Sequence, residues 1–246
     1  VLESKSALEG AGGSLSVMLS SGDTNVGGRI VISGGESTTS VGGDISFSGG
    51  DALGGNSNSD AGGDILLTGG QASTATGGSV AIMSGYSQST DSGKVLVGTD
   101  NAGTSGVSGS MTLSTGSSSV GNSGSIDIET GEGIGGSAGD INLTVGTGNT
   151  GNGGGVNMSA GDTTDGNGQG GNVTMTAGRG LGRAVGGDLV LTAGEASYPR
   201  DSTSLPADDQ GDIIGGSVFI KSGHSTGITS GDVSIETDKA GAAGVS

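Results

Sequence analysis

The sequence predicts an all-β chain, a parallel β-solenoid of about fourteen repeats of ~15 residues, on three observations. Apolar residues recur in pairs separated by one small polar residue, as in Gly43-Asp44-Ile45-Ser46-Phe47-Ser48-Gly49. That is the period-two pattern of a strand with one buried face. Glycines fence each pair, and the fenced unit returns at nearly constant spacing along the chain.

The first apolar residue after each glycine turn anchors a repeat: Leu15, Ile30, Ile45, Ile65, Val80, Val95, Met111, Ile126, Ile141, Val156, Val173, Leu189, Val218 and Val233. Successive anchors lie 15, 15, 20, 15, 15, 16, 15, 15, 15, 17, 16, 29 and 15 residues apart, so fifteen is the period and the exceptions are insertions. Two places after each anchor stands a second apolar residue, in order Val17, Ile32, Phe47, Leu67, Ile82, Val97, Leu113, Ile128, Leu143, Met158, Met175, Leu191, Ile220 and Ile235. The residues between and just after point the other way on a pleated strand and are mostly small and polar, as in Thr174 and Thr176.

Glycine usually follows five places after the anchor (Gly50, Gly70, Gly116, Gly161, Gly194) and returns two or three before the next. These are turn positions, where a residue without a β-carbon is favoured. Strand, turn, thinner second strand and turn fill one coil, and stacked coils would pair their backbones at roughly 4.8 Å per coil. One repeat per coil is favoured because both turn signals fall inside one period; two repeats per coil is the alternative.

On this reading residues 1–246 are a single solenoid segment of a longer array, with 196–214 as an inserted loop holding both prolines and Asp201, Asp208, Asp209 and Asp212. A longer repetition supports the array: Gly77-Gly78-Ser79-Val80-Ala81-Ile82 is echoed eight repeats on by Gly215-Gly216-Ser217-Val218-Phe219-Ile220. The opening Val1-Leu2-Glu3-Ser4-Lys5 has no Met, basic region or apolar run, so any leader is expected to have been removed.

Composition narrows the function classes. With 59 glycines and 2% aromatic residues, little large apolar surface can be buried, and glycine without a strict every-third register excludes collagen. Disorder is the competing expectation, against which stands the strict phase of the apolar pairs. The net charge of -17 argues against nucleic acid or an anionic membrane as partner, and no apolar run is long enough to insert into a bilayer. Absence of Cys removes disulfides, thiolate metal sites and thiol catalysis.

Catalysis finds no support. His224 is the sole histidine and follows a turn glycine, where a solvated residue is expected. Asp127 and Glu129 could pair for acid–base work, but other repeats place Thr112 and Ser114 or Asn142 and Thr144 there. No cofactor is expected. Calcium is the one metal worth weighing, because Asp44, Asp64, Asp140, Asp188 and Asp232 follow a turn glycine; the same place elsewhere holds Ser, Asn, Lys or Arg, which breaks any shared ladder.

The outward positions offer a candidate surface-binding face: Thr112 and Ser114, Asn142 and Thr144, Asn157 and Ser159, Thr174 and Thr176. Ranks of such residues could order water at ice or bind a mineral surface, although Ser and Thr also simply suit exposed strand positions. Leu66, Leu96, Asp127, Val190 and Phe219 interrupt the rank. Sequons at Asn142, Asn157 and Asn172 are about what eleven asparagines produce by chance in so Ser- and Thr-rich a chain.

The Ser79-Val80-Ala81-Ile82 unit at its fifteen-residue spacing resembles the head repeats of trimeric autotransporter adhesins, single-coil β-rolls with inward Val and Ile. The doubled glycines depart from that pattern and are similar to other glycine-rich tandem-repeat proteins of cell surfaces and extracellular fibres. The resemblance implies an extracellular surface segment that associates with itself into a fibre or homo-oligomer. The functional expectation is therefore a structural repeat segment of an extracellular filament or adhesin, acting as a stiff self-associating rod, with ice or mineral binding as the alternative and no enzymatic role.

Overall fold

The computed structural model describes residues 13–22, 26–54, 60–196, 214–227 and 229–238. The chain divides into two bodies, Val1–Ile126 and Asp127–Ser246. The inserted loop expected at 196–214 lies almost wholly outside the described residues.

The expected β-solenoid is not formed. Among the described residues there is no strand and no helix, and no residue of any kind is buried. Neither one repeat per coil nor two is realised, because both need the apolar stretch of one repeat to pair with a neighbour through its backbone. Among the described residues the backbone bonds between segments all lie in loops, and none joins one apolar stretch to the next.

The physical reason is the small apolar payload. Each repeat of about fifteen residues offers two large apolar side chains, while ordering the chain costs backbone entropy at every position and most at glycine. The accessible surface is 24572 Å². A folded monomer of this mass, 22.9 kDa, would expose about 9,600 Å².

Local order survives this lack of a core. In Val95-Leu96-Val97 the central residue is 95% exposed against 53% and 69% for its neighbours, and Val218-Phe219-Ile220 repeats the alternation. Anchors and the residues two places on thus make two columns of sequence positions that are partly covered, with the intervening side chains more exposed.

The N-terminal body, Val1–Ile126, is a run of apolar stretches joined by loops that return to their own base. The Gly43 amide donates to the Gly35 carbonyl at 2.8 Å, and Gly63 to Gly50, Gly78 to Gly70 and Gly93 to Gly85 repeat the closure at 2.8 to 3.0 Å. In two of the loops a hydroxyl seven places after the anchor holds the next bend. Ser37 Oγ accepts from the Ser40 amide at 3.0 Å, and Ser87 Oγ from the Thr90 amide at 3.1 Å.

The C-terminal body, Asp127–Ser246, closes its loops in the same way, from Gly171 to Gly161, Gly187 to Gly178, Gly216 to Gly194 and Gly231 to Gly223, at 2.9 to 3.1 Å. Its loop 161–171 carries a turn in which the Gly168 amide reaches the Asp165 carbonyl at 3.0 Å. In loop 178–187 the Ala184 amide reaches the Leu181 carbonyl at 3.3 Å, with Gly182 at φ 71 supplying the left-handed residue.

Candidate functional site

Two features recur in every repeat and are the candidates for function: the pinch at each loop base and the pair of apolar columns.

The pinch is built from the residue four places after an anchor and the glycine two places before the next. That second position is glycine in all fourteen repeats. In the thirteen loops between anchors the two positions approach each other every time, from Leu19 and Gly28 through to Ser222 and Gly231. A β-carbon placed on Gly154 would lie 2.8 Å from Val145 Cγ1, and one on Gly43 would lie 2.9 Å from the Gly35 nitrogen.

Side-chain size at the first position decides whether the loop closes. Where it is Gly, Ala or Ser (Gly34, Gly49, Gly69, Ser84, Ala160, Ala177, Ala193, Ser222), the neighbouring glycine carbonyl receives the closing amide. Where it is Leu19, Thr99, Thr115, Thr130 or Val145, no such backbone bond forms among the described residues. The branched side chain occupies the gap instead: Thr99 Cγ2, Thr115 Cγ2 and Thr130 Cγ2 stand 3.3 to 3.6 Å from where the facing glycine would carry a β-carbon. Six residues at this position, among them Ala160 and Ala177, are half-buried and are among the best covered of the described residues.

The expected surface-binding residues are all described and all exposed. Thr112 and Ser114 belong to the N-terminal body; Asn142, Thr144, Asn157, Ser159, Thr174 and Thr176 belong to the C-terminal one. They fall at the two positions flanking the second apolar residue, and a contact elsewhere shows that those positions share a side: Ser234 Oγ donates to Glu236 Oε1 at 2.6 Å. Within a repeat the pair can therefore present two hydrogen-bonding groups together. Between repeats no backbone pairing sets one such pair at a fixed spacing from the next among the described residues. Ser159 turns its hydroxyl to the Ala160 carbonyl at 3.2 Å.

His224, Asp127 and Glu129 are exposed, and Asp44, Asp64, Asp140, Asp188 and Asp232 fall in separate repeats. Among the described residues no three acidic or histidine side chains gather to hold a metal ion, and no helix is long and apolar enough to cross a membrane. A shallow hollow lined by Leu96, Gly98, Thr99 and Asp100 is open to solvent and holds no convergent polar groups suited to catalysis.

The two columns leave apolar surface in contact with solvent. All twenty-eight of their positions are apolar and none carries a charge. From the second repeat on, anchors are 45 to 56% exposed, half-covered at best.

Sequence reasoning from apolar spacing finds the columns and misses the pinch. The signal for it was present: a glycine invariably two places before the anchor, facing a position whose residue varies between Gly and Leu. No family model, no curated protein and no solved structure matches this chain.

Proposed function

We propose that this chain is a structural repeat segment of an extracellular filament or adhesin, working by association with copies of itself and not by turnover. One observation carries the reading: fourteen repeats each present an apolar pair, yet no described residue is buried. Apolar surface on that scale is driven out of water, and a single chain with so few large side chains has no core in which to place it. The net charge of -17 supports a soluble, spaced surface around the uncharged columns and disfavours nucleic acid as the covering partner. An extracellular setting is supported by the likeness to glycine-rich repeats of cell surfaces and fibres.

Negative-stain imaging with multi-angle light scattering on the 246-residue chain tests it. Assemblies well above the 22.9 kDa monomer, growing with concentration, are expected. A monomer at every concentration up to the millimolar range overturns the reading.

A further inference from the structure

We propose that Asn152 is a site of spontaneous deamidation, at which the chain's own backbone converts the side-chain amide to aspartate and isoaspartate, while a turn shields Asn167 from the same chemistry. This inference stands apart from the self-association reading. Of the eleven asparagines, these two alone precede a glycine. The reaction needs the next residue's backbone nitrogen to reach the asparagine Cγ, and a glycine there has no β-carbon to obstruct the approach.

Both asparagines are exposed, and both lie in loops of the C-terminal body. Around Asn152 nothing restrains the attack. Gly153 makes no backbone hydrogen bond among the described residues, and a β-carbon placed on it would meet nothing within 4 Å. The space at Gly151 is equally open, and its φ of 75 turns the chain just before the asparagine. The loop also lacks the neck bond, because Val145 fills the gap facing Gly154.

Asn167 is held on both sides. Its own amide donates to Asp165 Oδ1 at 3.0 Å, and the Gly168 amide, whose nitrogen would attack, donates to the Asp165 carbonyl at 3.0 Å. Thr163 Oγ1 accepts from the Asp165 amide at 3.2 Å and stands 3.0 Å from where Gly168 would carry a β-carbon. An amide must release its proton to become a nucleophile, so a bond that holds the proton suppresses the attack as it suppresses hydrogen exchange. One such bond slows the step about two- to tenfold.

The chemistry balances with water as the only co-reactant. The Gly153 nitrogen gives up its proton and bonds to Asn152 Cγ; the Cγ–Nδ2 bond breaks, and ammonia leaves with that proton, closing a succinimide ring. Water then opens the ring at either carbonyl. One opening gives aspartate, and the other gives isoaspartate, whose main chain runs through the former side chain and is one carbon longer. Either product adds negative charge to a chain already at -17.

The full chain, incubated in mildly alkaline buffer and sampled over time, tests the proposal. Trypsin releases residues 95–179 as one fragment, in which electron-transfer fragmentation locates each conversion and separates aspartate from isoaspartate. Asn152 is expected to convert at least about threefold faster than Asn167, with isoaspartate among its products, and the two rates to converge in concentrated urea. Gly153→Val is expected to slow Asn152 to the rate of Asn172, which already precedes a valine. Thr163→Val with Asp165→Ala, which loosens the turn, is expected to raise Asn167 to the rate of Asn152. An equal or faster rate at Asn167 in buffer, or no response to the double variant, overturns the shielding. Aspartate without isoaspartate, or no slowing in Gly153→Val, overturns the backbone attack. An Asn152 that stays intact in buffer for as long as urea takes to convert it overturns the site itself.

Discussion

Thr130 Oγ1 donates a hydrogen bond to the Gly139 carbonyl at 3.1 Å across the base of its loop, in the place where other repeats use a backbone amide. The threonine methyl faces the same glycine, so the branched side chain both blocks the backbone closure and partly replaces it. Loop closure is thus written in one side chain per repeat.

Exchanging that side chain should exchange the bond. Thr115→Ala is expected to let the Gly124 amide reach the Gly116 carbonyl, and Ala160→Val to break the 2.9 Å bond from Gly171 to Gly161. A backbone bond contributes about 0.5–1.5 kcal/mol net, so amide exchange at residue 124 should slow, and at residue 171 quicken, by about two- to tenfold. Unchanged rates in both would mean that side-chain size does not control closure.

The facing glycine should be as sensitive. A β-carbon at residue 43 would crowd the Gly35 nitrogen at 2.9 Å, whereas one at Gly35 or Gly27 meets nothing within 4 Å. Gly43→Ala is therefore expected to abolish protection of its own amide, and Gly27→Ala to leave the neighbouring loops unaltered. Exchange measured by NMR distinguishes the two.

At Gly182 the requirement is conformational, since its φ of 71 lies in the left-handed region and nothing crowds the site. Gly182→Ala should cost about 1–2 kcal/mol locally and weaken the turn from Ala184 to Leu181, while Gly182→Asn should largely keep it. The Ala184 amide exchange rate is the readout.

Salt should favour assembly. With a net charge of -17, copies repel one another, and raising sodium chloride to about 1 M shortens the screening length to about 3 Å. The assembly midpoint is expected to fall with salt, and calcium chloride at equal ionic strength to do no more than sodium chloride, since the described acids form no group of three. A calcium effect many times larger, reversed by chelation, would identify a specific cation site.

How much of this was legible can be said residue by residue. The alternation of Val95, Leu96 and Val97 was readable because it depends only on neighbours in the chain, and exposure follows it. The bends at Ser37 and Ser87 were not: both residues lie between the two glycine turns, in the stretch expected as a thinner second strand, yet their hydroxyls meet amides three residues on. Pairing between repeats was not readable. Whether the stretch around Ile45 finds the one around Ile65 depends on a balance between a modest apolar gain and the entropy of a glycine-rich loop, and periodicity carries no measure of that balance. The candidate face through Thr112, Asn142 and Thr174 inherited this gap, because its spacing presupposed stacked coils. The pinch at Ala160 and Gly171 escaped notice for another reason: its two partners stand eleven residues apart, outside any strand or helix period.

Closures of this kind give the chain a reserve of length. Each is a single backbone bond at a loop neck, so tension applied at the ends would open necks one after another without disturbing the stretches between them. Releasing the segment from Gly35 to Gly43 would add on the order of 20–25 Å of contour, and the longer segment from Gly50 to Gly63 correspondingly more. Repeats with Thr99 or Val145 at the neck, lacking that bond, would yield first and set a graded, recoverable extensibility along the molecule.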